Sequence, residues 1–251
     1  MVKSDGVPTY LTADVAYHWD KYRRGFDHLI DIWGPDHHGY IGRMHAAIQA
    51  LGYPADSFEV IILQLVTLLR HGEKVRMSKR AGRFVSMTEL LEEVGKDAAR
   101  YFFLMRAPDS HLDFDLALAA EQSQENPVYY IQYAHARICS ILRQAEEDAV
   151  YCPSAQEADL QLLQTEAEMD LIKKLAQLPE EILQAAERRE PHHIARYCHE
   201  LASSFHSFYT HCRVLGEDEA LQGARLVLLK ATRQVLQVAL GILGVSTPER
   251  M

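Results

Sequence analysis

Leu29-Ile30-Asp31-Ile32-Trp33-Gly34-Pro35 and, further on, Phe58-Glu59-Val60-Ile61-Ile62-Leu63 decide the fold of the first part of this chain. Both are short apolar runs containing β-branched residues, and Gly34-Pro35 stops the first abruptly, so both read as buried strands. Between them Met44, Ala47, Ile48 and Leu51 recur at helical spacing, and Gly52 marks the helix end. Strand, helix, strand in that order predicts a parallel βαβ unit. Upstream, a helix capped by Thr12 is expected to run through Tyr22, with Gly25 ending it. Two strands are too few for a doubly wound sheet, so part of the sheet is expected to be missing.

Beyond residue 85 the pattern turns helical. Ser86-Met87-Thr88-Glu89 has the form of a capping box, and Asn126-Pro127 joins an N-cap to a proline at the first helical position. One apolar stripe runs through Val128, Ile131, Ile138 and Leu142. A second runs through Leu160, Leu163, Ala167, Leu171, Leu175 and Leu178. Ile194, Cys198, Leu201, Phe205 and Phe208 make a third, and Leu221, Leu228, Ala231, Val235, Val238 and Ile242 a fourth. Four such stripes predict a helix bundle around one shared core. The acidic residues Glu166, Glu168, Glu180 and Glu181 read as solvated faces. The expected fold class is α/β plus all-α, with the boundary near Glu121.

The net charge of −9 argues against a surface coated for nucleic acid. Between Arg70 and Arg83, however, lie Arg70, Lys74, Arg76, Lys79, Arg80 and Arg83 against one acid, Glu73. One concentrated basic loop suits a phosphate-bearing substrate met at a defined place. Within it, Arg76-Met77-Ser78-Lys79 is flanked by Gly72 and Gly82, which should let the loop move. A lysine there can follow charge onto a leaving pyrophosphate, stabilising the transition state more than the ground state. Tyr129, Tyr130, Tyr133, Arg137, Tyr209 and Arg213 either stack on single-stranded bases or belong to the core, and both readings stay open.

Cys139, Cys152, Cys198 and Cys212 form no Cys-x-x-Cys pair, so buried or incidental thiols are expected. His192, His193, His199, His206 and His211 scatter around a helix whose apolar face holds Cys198, a spacing that predicts no metal site. No apolar run approaches the roughly 20 residues of a membrane span, and Met1-Val2-Lys3-Ser4-Asp5-Gly6 lacks a signal-peptide core. A cytoplasmic protein without a membrane partner is expected.

Arg76-Met77-Ser78-Lys79 resembles the Lys-Met-Ser-Lys signature of class I aminoacyl-tRNA synthetases, and four further stretches narrow the resemblance to the arginyl enzymes. Thr9-Tyr10-Leu11-Thr12-Ala13-Asp14-Val15-Ala16-Tyr17-His18 resembles their arginine-site helix. Trp33-Gly34-Pro35-Asp36-His37-His38-Gly39-Tyr40-Ile41-Gly42-Arg43-Met44 resembles the next strand-to-helix turn. Asn126-Pro127-Val128-Tyr129-Tyr130-Ile131-Gln132-Tyr133-Ala134-His135-Ala136-Arg137 resembles the opening helix of their anticodon-binding domain, and Gly244 to Met251 their C-terminus. The family's early His-x-Gly-His motif does not occur here, and His37-His38-Gly39-Tyr40 reads as a different turn.

The resemblance implies the C-terminal half of a Rossmann-like catalytic domain over residues 1–85, a helical stem-contact connection over 86–121, and a helical anticodon-binding domain over 122–251. It implies arginine binding by Tyr10, Asp14, Tyr17, His18 and Asp36, and ATP binding by Met77, Lys79, Asp36 and His37. Lys79, Ser78 and Arg76 would be catalytic, although Arg76 replaces the usual lysine and is a rigid fork rather than a point charge. Tyr129, Tyr133, Arg137, Arg213 and Met251 would contact the tRNA. ATP with Mg2+, arginine and the arginine tRNA are the implied ligands, and a monomer is expected. Taken alone, the chain is expected to be inactive. The alternative is a non-catalytic RNA-binding or regulatory protein derived from a truncated synthetase.

Overall fold

The computed structural model describes residues 3–75 and 85–251. These form two compact units, one of residues up to 66 with 108–112, the other of 67–107 with 113–251.

In the first unit, helix α1 (Tyr10–Arg23) leads to strand β1 (Leu29–Trp33), and helix α2 (Ile41–Ala50) to strand β2 (Phe58–Ile62). The strands pair in parallel, Leu29 opposite Phe58 and Trp33 opposite Ile62, as strand–helix–strand order requires. Gly25 (φ 92°) and Gly52 (φ 91°) take the left-handed backbone that turns the chain after each helix. Val15, Tyr22, Leu29, Met44, Ile48 and Phe58 are the buried core. One expectation is corrected: the N-cap of α1 is Thr9, not Thr12, so Tyr10 opens the helix instead of preceding it.

Three further strands, unforeseen in the sequence and lying mostly in the second unit, are β3 (Val66–Arg70), β4 (Glu73–Lys74) and, later, β5 (Leu112–Asp115), in the order β4-β3-β5. They are too short and mixed in character to show a period. Helix α3 (Met87–Leu104) starts at the expected capping box and is broken at Gly95 (φ 78°, ψ 162°). The short helix α4 (Leu116–Ala120) precedes α5 (Pro127–Glu147), where Asn126 caps the Val128 N–H as expected.

The second apolar stripe is not one helix. Leu160–Leu162 is a 3-10 turn, α6 (Glu166–Ala176) restarts at a Thr165/Glu168 capping box, and α7 (Leu178–Arg188) restarts at Leu178-Pro179. The third stripe holds throughout α8 (His192–His211). The fourth is misplaced: Leu228 is buried, but Ala231, Val238 and Ile242 are exposed, and Leu229, Thr232, Leu236, Ala239 and Leu243 face the core of α9 (Glu219–Leu243). An alanine- and leucine-rich helix offers two overlapping apolar arcs, and only packing selects between them. α9 is long and apolar enough to cross a membrane by length and composition. Here it carries a buried Arg225, joined at 2.7 Å to Glu168, which is 0% exposed rather than solvated.

Candidate functional site

In the first unit α1 presents Tyr10, Asp14 and Tyr17 at i, i+4 and i+7, one face of the helix. Tyr10 is 91% exposed, and Tyr17 is also exposed, with the Lys21 ammonium 4.6 Å over its ring. Asp14 is half-buried and accepts a hydrogen bond from the Tyr40 hydroxyl at 3.3 Å. Burial and the Asp14 charge raise the Tyr40 pKa, keeping the phenol a donor. Tyr40 lies in the stretch of residues 33–44, where nothing local marks it, and its packing on Trp33 becomes visible only when the turn folds back.

His18 has a different place from the one expected beside arginine. It is 4% exposed, with Nδ1 2.7 Å from the Asp14 carbonyl and Nε2 2.8 Å from Asp31. Both partners can accept, an arrangement that favours the imidazolium, in which both ring nitrogens donate. Burial opposes that charge, but the hydrogen bonds and the Asp31 charge outweigh it and raise the His18 pKa. Lys21 adds a second cation 3.2 Å from Asp31. His18 thus fixes α1 against β1, and the surface carrying Asp14 is held from below. Asp36 and His37 sit exposed in the 3-10 turn Pro35–Tyr40 at the C-terminal end of β1, with His37 against Trp33. A strand's C-terminal end is where open α/β sheets bind ligands.

Arg76, Met77, Ser78 and Lys79 lie outside the described residues. The base of their loop is described, and it corrects the expectation of a freely moving Gly72. Asp115 accepts the backbone N–H groups of Gly72 at 2.7 Å and His71 at 3.2 Å, and also caps α4 through Ala117. Burial works against the charge, but these three backbone donors, with the Leu118 N–H as a fourth, lower the Asp115 pKa. Arg70, part of the basic stretch, is already clamped by both oxygens of Glu93 at 2.6 and 2.9 Å.

In the second unit the tyrosines of α5 form a platform. Tyr129 and Tyr133 stack at 6.3 Å, 7° from parallel. The Arg137 guanidinium lies between the rings of Tyr133 (4.9 Å) and Tyr209 (4.7 Å) and donates to the Tyr133 hydroxyl. Tyr133, Arg137, Arg143, Tyr209, Arg250 and Met251 line one cavity of about 630 Å³. Cations and aromatic faces at its wall suit stacked bases and phosphates. Arg213 stays apart, its Nε donating to Leu215 of its own loop.

Residues that hold the tail carrying Met251 were missed. His135, 0% exposed, donates to the Pro248 carbonyl at 2.9 Å. Gln132 donates to the Ser246 carbonyl at 3.0 Å and to Asp97, which also accepts from the Ser246 hydroxyl. Their partners in the tail are more than a hundred residues away in sequence, so no local pattern marks them.

Residues 1–110 match the family described as class I tRNA synthetases (R), catalytic domain, and residues 131–251 match the DALR anticodon binding domain. Arginine–tRNA ligases from Desulforamulus reducens and Carboxydothermus hydrogenoformans are 58% and 57% identical over the whole chain, which spans 45% of each. An arginyl-tRNA synthetase structure from Campylobacter jejuni superposes with a TM-score of 0.88 at 37% identity, covering all of this chain and 54% of that one. That of Thermus thermophilus, at 24% identity and TM-score 0.80 over all of this chain and 50% of that one, agrees in fold. The chain spans about half the length of the relatives it matches, and in both its α/β unit and its helical bundle it belongs to the arginyl-tRNA synthetase family of class I.

Proposed function

We propose that this chain supplies the arginine-selecting helix, the phosphate-binding loop and the tRNA-binding bundle of a cytoplasmic arginyl-tRNA synthetase. The observation that carries the reading is the placement of Asp14: an aspartate on a helix face, steadied by Tyr40 and flanked by two exposed tyrosines. An ionised carboxylate there accepts charge-assisted bonds from a guanidinium, and a tyrosine ring packs on its plane. The arginine carboxylate would attack the α-phosphorus of ATP, giving arginyl-adenylate and pyrophosphate. A hydroxyl of the terminal tRNA ribose would then take the arginyl group and release AMP. Lys79 would meet the charge building on pyrophosphate, with Ser78, Met77 and Arg76 shaping its loop and Mg2+ arriving on the ATP phosphates. Tyr129, Tyr133, Arg137 and Met251 would receive anticodon-arm nucleotides.

The test is arginine-dependent ATP–pyrophosphate exchange, with tRNA present, by the full-length protein that contains this chain. Exchange driven by arginine and no other amino acid is expected, and Lys79→Ala should slow it about 10²–10³-fold. The 251-residue chain alone should bind tRNA but give no exchange. A full-length protein that binds tRNA without exchange would overturn the reading in favour of a non-catalytic RNA-binding role.

A further inference from the structure

We propose that the corner between α7 and α8 binds a divalent transition metal of the zinc class through Glu190, His192 and His193. One ligand atom from each of the three lies within 4.8 Å of the others. Tetrahedral ligands at zinc distances stand about 3.3 Å apart, so small side-chain rotations close the set. His193 Nε2 is already 3.0 Å from Glu190 Oε2, and the two histidine rings are 4.6 Å apart. The backbone beneath them is fixed. Arg189 takes the left-handed conformation (φ 59°), the Glu190 N–H donates to the Ala185 carbonyl at 2.9 Å, and Pro191 caps α8. Sequence spacing concealed the group because its third member is a glutamate outside the helix.

A second observation points to a cation there. The Oε2 of Glu181, on α7, is buried without a hydrogen-bond partner among the described residues, 4.0 Å from His193 Nδ1. A buried carboxylate oxygen with no donor is costly. In the present arrangement the Arg196 guanidinium donates to Nδ1 at 2.9 Å, so the ring proton sits on Nε2, facing Glu190. A metal on Nε2 displaces that proton and requires the Nδ1 tautomer, whose N–H then serves the stranded Glu181 oxygen. This is the carboxylate–histidine–metal relay that orients ligating histidines. Arg196 is exposed and has Glu200 as a standing partner, so it can turn away. Two imidazoles and a carboxylate suit zinc, nickel or copper better than magnesium or calcium, which take oxygen ligands. A water would fill the fourth position, and the ion would tie α7 to α8.

The experiment titrates the 251-residue chain with ZnCl2 by calorimetry and with Co2+ by visible absorption. One ion per chain is expected, with a cobalt spectrum of nitrogen and oxygen ligands and no thiolate band. His193→Ala and Glu190→Gln should each weaken binding at least tenfold. Glu181→Gln should weaken it about 10-fold, as loss of an outer-shell partner does. His211→Ala should leave it unchanged. Metal-free melting temperatures check that each variant folds; if His193→Ala does not, Glu190→Gln decides. Zinc binding undiminished by Glu190→Gln, a cobalt–thiolate band, or no heat of binding at millimolar zinc would overturn the proposal.

Discussion

Helix α1 of the first unit turns its proposed arginine-binding groups outward, with Tyr10 and Tyr17 exposed and Asp14 half-buried above the His18–Asp31 pair. Helices α6 and α9 of the second unit close over Glu168 and Arg225, whose charges meet each other, the Thr165 cap, the Arg213 carbonyl and Glu217. Beneath α1 lies a core of six buried residues, while β1 and the segment after β2 leave Ile30, Ile32, Leu63 and Leu65 exposed. The bundle buries apolar residues along every long helix. The contrast separates a surface that leaves its polar and aromatic groups open to solvent from a scaffold that closes over its charges.

The sharpest way to break this comparison is to open the bundle's buried pair. Glu168→Ala removes the partner of Arg225 and the second half of the Thr165 capping box. Removing one member of a buried ion pair costs about 3–5 kcal/mol, and the retained Arg225 bond to Arg213 favours the lower end. Both tryptophans, Trp19 and Trp33, lie in the first unit, whereas most helix lies in the second. Urea melts by circular dichroism should therefore shift, and melts by tryptophan fluorescence should hold. Coincident shifts would show that the units unfold together and that the contrast has no thermodynamic meaning.

Glu168 also marks how far the sequence could be read. Its capping sequence, Thr165-Glu166-Ala167-Glu168, is as local as that of Ser86 and Glu89, but the Ser86/Glu89 box is solvent-exposed and the other buried. What buries it is Arg225, 57 residues away. The same reasoning covers the strands. β1 and β2 announce themselves through continuous apolar character, whereas β3 to β5 join segments far apart in the chain, with Asp115 accepting from Gly72, 43 residues earlier. For the candidate site, Tyr10, Asp14 and Tyr17 were named through the resemblance of one continuous stretch, and that they share one helix came only with the N-cap at Thr9. The part supplied by Tyr40 was not legible, because it arrives from another element.

A smaller effect sharpens the first unit's side. Asp14→Asn keeps the side chain's shape and its Tyr40 contact but removes the charge offered to a guanidinium. In the full-length enzyme the KM for arginine should rise at least tenfold, about 1.4 kcal/mol. The tryptophan-monitored melt should stay in place, since Asp14 caps nothing now that Thr9 is the N-cap. A lowered melt with unchanged KM would move Asp14 from the ligand surface into the scaffold.

The smallest expected effect sets the histidines of the two units against each other. The cationic form of His18 is favoured, its burial outweighed by Asp31 and the Asp14 carbonyl, so its folded pKa lies above the ordinary 6.5. Its contribution is therefore full below 6.5 and is lost as pH rises through the raised value. The partner Asp31 is depressed, because His18 and Lys21 outweigh its burial, so its share is present above 3.8 and fades only as pH falls through the lowered value. The first unit should thus be most stable between about pH 4 and 6.5 and weaken toward pH 8. In the second unit, burial lowers the pKa of His135 despite its bond to Pro248, and that of His206 despite its bond to Tyr130. These rings are folded as neutral groups. Their unfolded forms take up protons first, so stability there is full above 6.5 and falls as pH drops through the lowered values. Urea midpoints at pH 5.5 and 8 should accordingly move in opposite directions, up for circular dichroism and down for tryptophan fluorescence as pH rises. His18→Gln should flatten the fluorescence trend alone. If it flattens neither trend, the imidazolium is not what secures α1, and the contrast between the units rests on packing without charge.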